Sequence, residues 1–267
     1  AALAAEGGVE RERRPGVGVA IFVCYAVLFT LAFLASGVDY DDVADSTSNV
    51  IRAMVMPVWV GAAALLGLTA FLGWWRPVFR DDERSPRWTL LIPAFLARGI
   101  VAGLATADWG ARDASFIAWL LVGTIAVGIA EETLTRGLLL TALRGGMGEV
   151  GAWFWSSLLF GLLHGANIVL GQDVGPTLQQ IVFAFVFGGV LYAARRSTGT
   201  LLVPIVLHAL WDFTTFMGSE GDVSAAQGLQ GFISYAAVIL FIVAAAKRSI
   251  FTTAGTAPIE EAVPAPA

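Results

Sequence analysis

Apolar residues come in long, nearly unbroken stretches along this chain, separated by short polar segments. They follow neither the two-residue alternation of a half-buried strand nor the narrow stripe of a helix facing water. The stretches read as residues 17–35, 50–75, 89–107, 114–143, 151–170, 178–194, 201–217 and 229–246. Several approach or exceed the roughly 20 residues that carry a helix across a hydrocarbon core of about 30 Å. The pattern predicts an all-α, polytopic transmembrane bundle of about eight helices over residues 17–250. A short segment, 1–16, precedes it. A tail, 251–267, follows, and its Pro258, Glu260, Glu261, Pro264 and Pro266 read as a disordered end. The first stretch follows Arg11, Arg13 and Arg14 and is longer than the apolar region of a cleaved signal, so it reads as a signal anchor.

The polar segments alternate in charge. Arg11, Arg13 and Arg14 are followed by Asp39, Asp41, Asp42 and Asp45, then by Arg76, Arg80, Arg84 and Arg87, then by Asp108, Arg112 and Asp113. Arg144, Asp173, the Arg195–Arg196 pair, Glu220 with Asp222, and finally Lys247 with Arg248 continue the series. By the positive-inside rule both termini are cytoplasmic, and an uneven number of missed spans would break the alternation. Composition agrees, with 57% hydrophobic and 14% charged residues, far from a soluble domain. The net charge of -5 is divided between two membrane faces and implies no nucleic-acid partner; lipid and a peptide or membrane protein are the partners expected. The single cysteine, Cys24, excludes an internal disulfide.

A charged side chain inside the bilayer costs about 3 kcal/mol or more, so each one demands a partner and points to function. The fourth stretch carries Glu131, Glu132 and Arg136, the fifth His164 and the seventh His208 and Asp212; the chain has no other histidines. On a regular helix Glu132 and Arg136 are one turn apart and can pair, while Glu131 projects about 140° away and is left for another task. His208 and Asp212 are likewise one turn apart, so the aspartate can hold the imidazole tautomer or bind the same ligand. A carboxylate and two imidazoles meeting across a bundle would suit hydrolysis. Proton-relay transporters and non-catalytic scaffold or immunity proteins also bury such groups, although the paired repeats of a transporter are absent from the sequence. Arg98, in the third stretch, is expected either to pair with an acid of the fourth or to snorkel to a water-filled cavity, and Arg52 to snorkel. Asn167 is expected either in a helix contact or in the site.

The ordered segments Glu131-Glu132-x-x-x-Arg136, Phe160-x-x-x-His164 and His208-x-x-x-Asp212 resemble the signature of the CAAX protease and bacteriocin-processing family, also called the abortive-infection family of intramembrane proteases. The resemblance spans roughly residues 114–217 and extends to type II CAAX prenyl endopeptidases. It implies an intramembrane endopeptidase in which Glu131 activates water, His164 and His208 position it or stabilise the oxyanion, and Asp212 completes the group. Glu132 and Arg136 would be structural, Phe160 would wall the cavity and Asn167 would support it. Family members are commonly labelled metalloproteases. Glu131, His164 and His208 form an acceptable set for a divalent metal such as zinc, and a metal-free glutamate base is equally admissible. No His-Glu-x-x-His, Gly-x-Ser-Gly or Gly-x-Gly-Asp segment occurs, which leaves other intramembrane protease types without support. Access is expected from the cytoplasmic side or laterally from lipid. A single lysine beside fifteen arginines suggests a GC-rich bacterial source and a bacterial cytoplasmic membrane, which favours peptides or membrane proteins over prenylated substrates.

Overall fold

A computed structural model describes residues 11–218 and 225–254; the tail from residue 255 and the Glu220–Asp222 loop lie outside the described residues. The described chain is helical. Its helices are α1 (Pro15–Ser36), α2 (Thr47–Leu72), the short α3 (Trp75–Phe79), α4 (Arg87–Thr106), α5 (Ala114–Arg144), α6 (Glu149–Leu163), α7 (Val174–Thr198), α8 (Leu202–Met217) and α9 (Ala225–Ala246). Among these, α1, α2, α4, α5 and α7 are long and apolar enough to cross a membrane. Each of the eight apolar stretches falls mainly on one helix, although the second reaches Trp75 of the short α3 and the fifth runs past the end of α6 at Leu163.

Local chemistry sets the ends. Pro15 occupies the first turn of α1, where its missing N–H costs nothing, and Asp113 caps α5 by accepting from the Phe116 N–H at 2.8 Å. Gly37 and Gly73, at φ 67° and 72°, end α1 and α2 in the left-handed conformation that residues with a Cβ avoid. The outward faces carry Val23, Leu28, Val60, Phe71, Val182 and Ile239, all exposed, as expected where the solvent is lipid rather than water.

Helix α5 occupies the middle of the bundle, with α8, α2 and α1 packed against it, while α9 lies along α4 and α6 along α7. Close approach at the α5–α8 seam depends on Gly128, where an added Cβ would fall 2.6 Å from the Ile205 carbonyl and 3.0 Å from the Ala209 methyl.

The two ends of the bundle differ in chemistry. At one end the α2–α4 connection meets the α7–α8 turn: Asp81 N–H bonds the Gly199 carbonyl at 3.1 Å, and Leu201 N–H bonds that of Phe79 at 3.2 Å. Here Asp81 accepts from Arg144 at 2.9 Å and Arg196 at 3.1 Å, and Tyr192 donates to Glu149 at 2.5 Å. At the other end the α1–α2 loop joins the α6–α7 connection through Tyr40 N–H and the Leu170 carbonyl, 2.7 Å. The exposed Asp39, Asp41, Asp42, Asp45 and Asp173 belong to this second end.

Candidate active site

Helix α5 is not regular through its polar segment. It is α-helical to Glu132, π-helical over Thr133–Leu139 and α-helical again from Leu140. Such widened turns recur at functional sites because they re-aim side chains within a continuous helix. The Thr135 hydroxyl donates to the Glu131 carbonyl at 2.6 Å, and Arg136 Nη1 donates to Glu132 Oε1 and Thr135 Oγ1, both at 2.8 Å. The Glu132 and Arg136 side chains have no solvent exposure. The guanidinium lies 4.0 Å over the Phe160 ring, a cation–π contact, and a Cβ on Gly188 would lie 2.5 Å from its Nη2. Glu132 Oε2 and Arg136 Nε and Nη2 have no hydrogen-bond partner among the described residues.

Glu132 reaches further than the expected pair with Arg136. Its Oε1 also accepts from His208 Nδ1 at 2.9 Å, so one carboxylate oxygen joins α5 to α8. Of the two roles open to Asp212, holding the tautomer falls instead to Glu132. Glu132 takes Nδ1, whereas Asp212 Oδ2 faces the opposite nitrogen, Nε2, at 3.5 Å, and Glu131 Oε2 faces the same Nε2 at 3.7 Å. The His208 ring is held edge-on between Phe160, at 5.7 Å between centroids, and Phe187, at 5.6 Å.

His164 occupies a break in its helix. Regular α6 ends at Leu163, and His164–Ile168 continues as a 3₁₀ turn, where the sequence pattern predicts an unbroken span to residue 170. Its Nδ1 is 3.0 Å from the Phe160 carbonyl. A carbonyl can only accept, so the proton is on Nδ1 and a neutral His164 carries its lone pair on Nε2. Its ring meets Phe160 edge-on at 5.1 Å, which makes Phe160 the common neighbour of both imidazoles and of Arg136.

Glu131, Phe160, His164, Asn167, His208 and Asp212 line one cavity of about 400 Å³. The sequence motifs supply only part of its wall. Tyr25 of α1, Tyr40 of the α1–α2 loop, Gln180 and Phe187 of α7 and Trp211 of α8 complete it. Asn167 donates to Gln180 Oε1 at 2.9 Å, and Gln180 donates to the Tyr40 hydroxyl at 2.9 Å, so Asn167 both links helices and faces the cavity. Tyr40 and Gln180 were visible in the sequence only as single polar groups, one in an acidic loop and one near a helix start, without a charge to draw attention. Burial raises the Tyr40 phenol to about 12; the hydrogen bond from Gln180 works against it, and the charges of Asp212 and Glu131 act with it.

Of the two readings of Arg98, the pair with an acid of α5 is not formed. Arg98 is exposed on α4, with no ion pair to α5 among the described residues. Arg52 donates to the Ser36 carbonyl at the end of α1. The divalent-metal set raised by the resemblance is not assembled either: among the described residues no three His, Cys, Asp or Glu side chains form a group that can hold a metal ion. Each imidazole has Nδ1 occupied by a protein acceptor.

Comparison with known families gives one match. The model described as "Type II CAAX prenyl endopeptidase Rce1-like" matches residues 113–214, which run from the cap of α5 into α8 and include every motif residue above. No curated protein matches the chain.

Proposed function

We propose, from the premise that this chain belongs through residues 113–214 to the CAAX protease family, that it is an intramembrane endopeptidase whose nucleophile is a water activated by Glu131. The observation that carries this reading is the meeting of Glu131 and Asp212 at Nε2 of a His208 already fixed by Glu132, in a cavity shared with His164. Glu131 accepts a proton from water as the oxygen adds to the scissile carbonyl carbon. His164, bare at Nε2, accepts the second hydrogen bond of that water and orients its lone pair. His208 Nε2, when protonated, donates to the oxyanion. The proton held by Glu131 passes to the leaving nitrogen as the C–N bond breaks. No step is routed through a metal.

The family's name associates it with prenylated CAAX proteins. The cavity's walls of Phe29, Phe33, Phe183, Phe187 and Trp211 accept an apolar chain of any origin, and peptides or membrane proteins are the favoured substrates. The test uses purified protein in proteoliposomes with quenched fluorogenic peptides, prenylated and plain. Wild type is expected to cleave the plain apolar peptides. Glu131→Gln is expected to lose about 10²–10⁴-fold in kcat, the range of a general base, with an unchanged melting profile. Turnover by Glu131→Gln equal to wild type removes Glu131 from the chemistry.

A further inference from the structure

The cavity lies toward one end of the bundle, and that end is not the arginine-rich one. Its inner wall is buried: Ala53, Met54, Val58, Phe160, Ala184, Phe187 and His208. Tyr25, Phe29 and Leu163 of its lining are partly accessible, but among the described lining residues full exposure is reached only at Phe183 and Thr215, together with the partly accessible Gln172, Gln180 and Phe216. The latter residues belong to the α6–α7 connection, the first half of α7 and the last turn of α8. The loop carrying Tyr40 and Val43 lies beside them, tied to Leu170.

Helix polarity leads to the same end. The start of α8 is fixed to the arginine-rich face by the Leu201–Phe79 hydrogen bond, so Asp212, five residues before its last residue Met217, is about 8 Å of helix rise from the opposite end. His164 is the first residue beyond regular α6, a helix that starts at the arginine-rich face with Glu149 bonded to Arg144 at 2.9 Å. Trp109 of the α4–α5 loop meets Phe213 at 6.1 Å, which adds a third loop to the same face. Two catalytic side chains thus lie close to the face of the aspartate-bearing loops.

Arginine-rich segments remain on the cytoplasmic side of a bilayer. We infer that the cavity is entered from the non-cytoplasmic face, and that its substrates are apolar peptide segments lying in the outer half of the membrane or beyond it, not cytosolic chain ends. This rests on the protease reading for the word substrate, while the entry face stands on the bundle alone. It departs from the access expected of the sequence, from the cytoplasmic side or laterally from lipid.

The test separates the two claims. With Cys24, the only cysteine, replaced by alanine, Gln172→Cys is placed at the mouth and Arg76→Cys at the opposite face. A membrane-impermeant maleimide added to intact cells is expected to label Gln172→Cys and to leave Arg76→Cys unlabelled until inverted vesicles are used. The reverse pattern overturns the inference whatever the activity. In sealed vesicles, an added apolar fluorogenic peptide should be cleaved from the outer face, and coupling a polyethylene-glycol maleimide at Gln172→Cys should reduce that cleavage at least tenfold. Cleavage only from the cytoplasmic face overturns the entry assignment and leaves the protease reading intact. Absence of cleavage from both faces, with outside labelling, leaves the entry face standing and removes the protease reading.

Discussion

At the scale of single residues, the adjacent glutamates of α5 do different work because one is enclosed and the other faces space. Glu131 lines the cavity, whereas Glu132 is fully buried and shared by Arg136 and His208. Removing one partner from a buried ion pair leaves the other charge uncompensated, at a cost of about 3–5 kcal/mol, and here it also releases the imidazole. Glu132→Gln is therefore expected to lower both thermal stability and turnover, while Glu131→Gln lowers turnover alone. A double-mutant cycle with Arg136→Met, read by melting in detergent, should be strongly non-additive, with the double variant more stable than the sum of the singles and still inactive. Additive losses would show that the Glu132–Arg136 contact contributes no coupling.

At the scale of elements, the spans were legible because lipid demands long apolar helices, and the motif residues because a charge in hydrocarbon is conspicuous. What stayed hidden were departures from regular helix. A projection at 100° per residue cannot show the π turn over Thr133–Leu139 or the 3₁₀ turn that starts at His164, because both follow from packing against other helices rather than from local composition. The two readings of Arg98 could not be separated for a related reason: its depth was readable, but the helix face it occupies was not. The α5–α8 seam offers a direct test of how far packing positions the chemistry. Gly128→Leu would push against Ile205 and Ala209, with an expected overpacking cost of about 1–3 kcal/mol. It should separate His208 from Glu132, so activity falls although no catalytic atom is changed. Gly67→Leu, at a position with open space around its Cβ, should alter neither stability nor turnover. Equal behaviour of the two variants in melting and cleavage assays would refute the role given to the seam.

At the scale of the whole molecule, two polar layers are carried by the same pair of helices. α5 presents Glu131, Glu132 and Arg136 to the layer of the candidate site and Arg144 to the arginine-rich face. α7 leaves room for Arg136 at Gly188 and ends in the buried Arg195 and Arg196. Asp81 ties the second layer together, only 7% exposed and bonded to Arg144 and Arg196, with Arg195 Nε 3.6 Å away. Burial alone would raise its carboxyl, but Arg144, then Arg195 and Arg196, outweigh burial and hold it below the ordinary aspartate value of 3.8. A group whose folded value is depressed adds stability that is complete above its unfolded value and is lost as pH falls through the folded one. The purified protein is therefore expected to melt at progressively lower temperature below about pH 4, beyond the slope due to other carboxylates. Asp81→Asn should be less stable at neutral pH, because the buried Arg195 and Arg196 and the half-buried Arg144 lose their common counter-charge, and its acid limb should be flatter than that of wild type. If the layers are joined only by rigid helices and not by shared protons, the pH dependence of peptide cleavage measured between pH 6 and 9 should be the same in Asp81→Asn and wild type. A shift of that profile would mean that the arginine-rich layer reaches the catalytic groups electrostatically, across the length of α5 from Arg144 to Arg136.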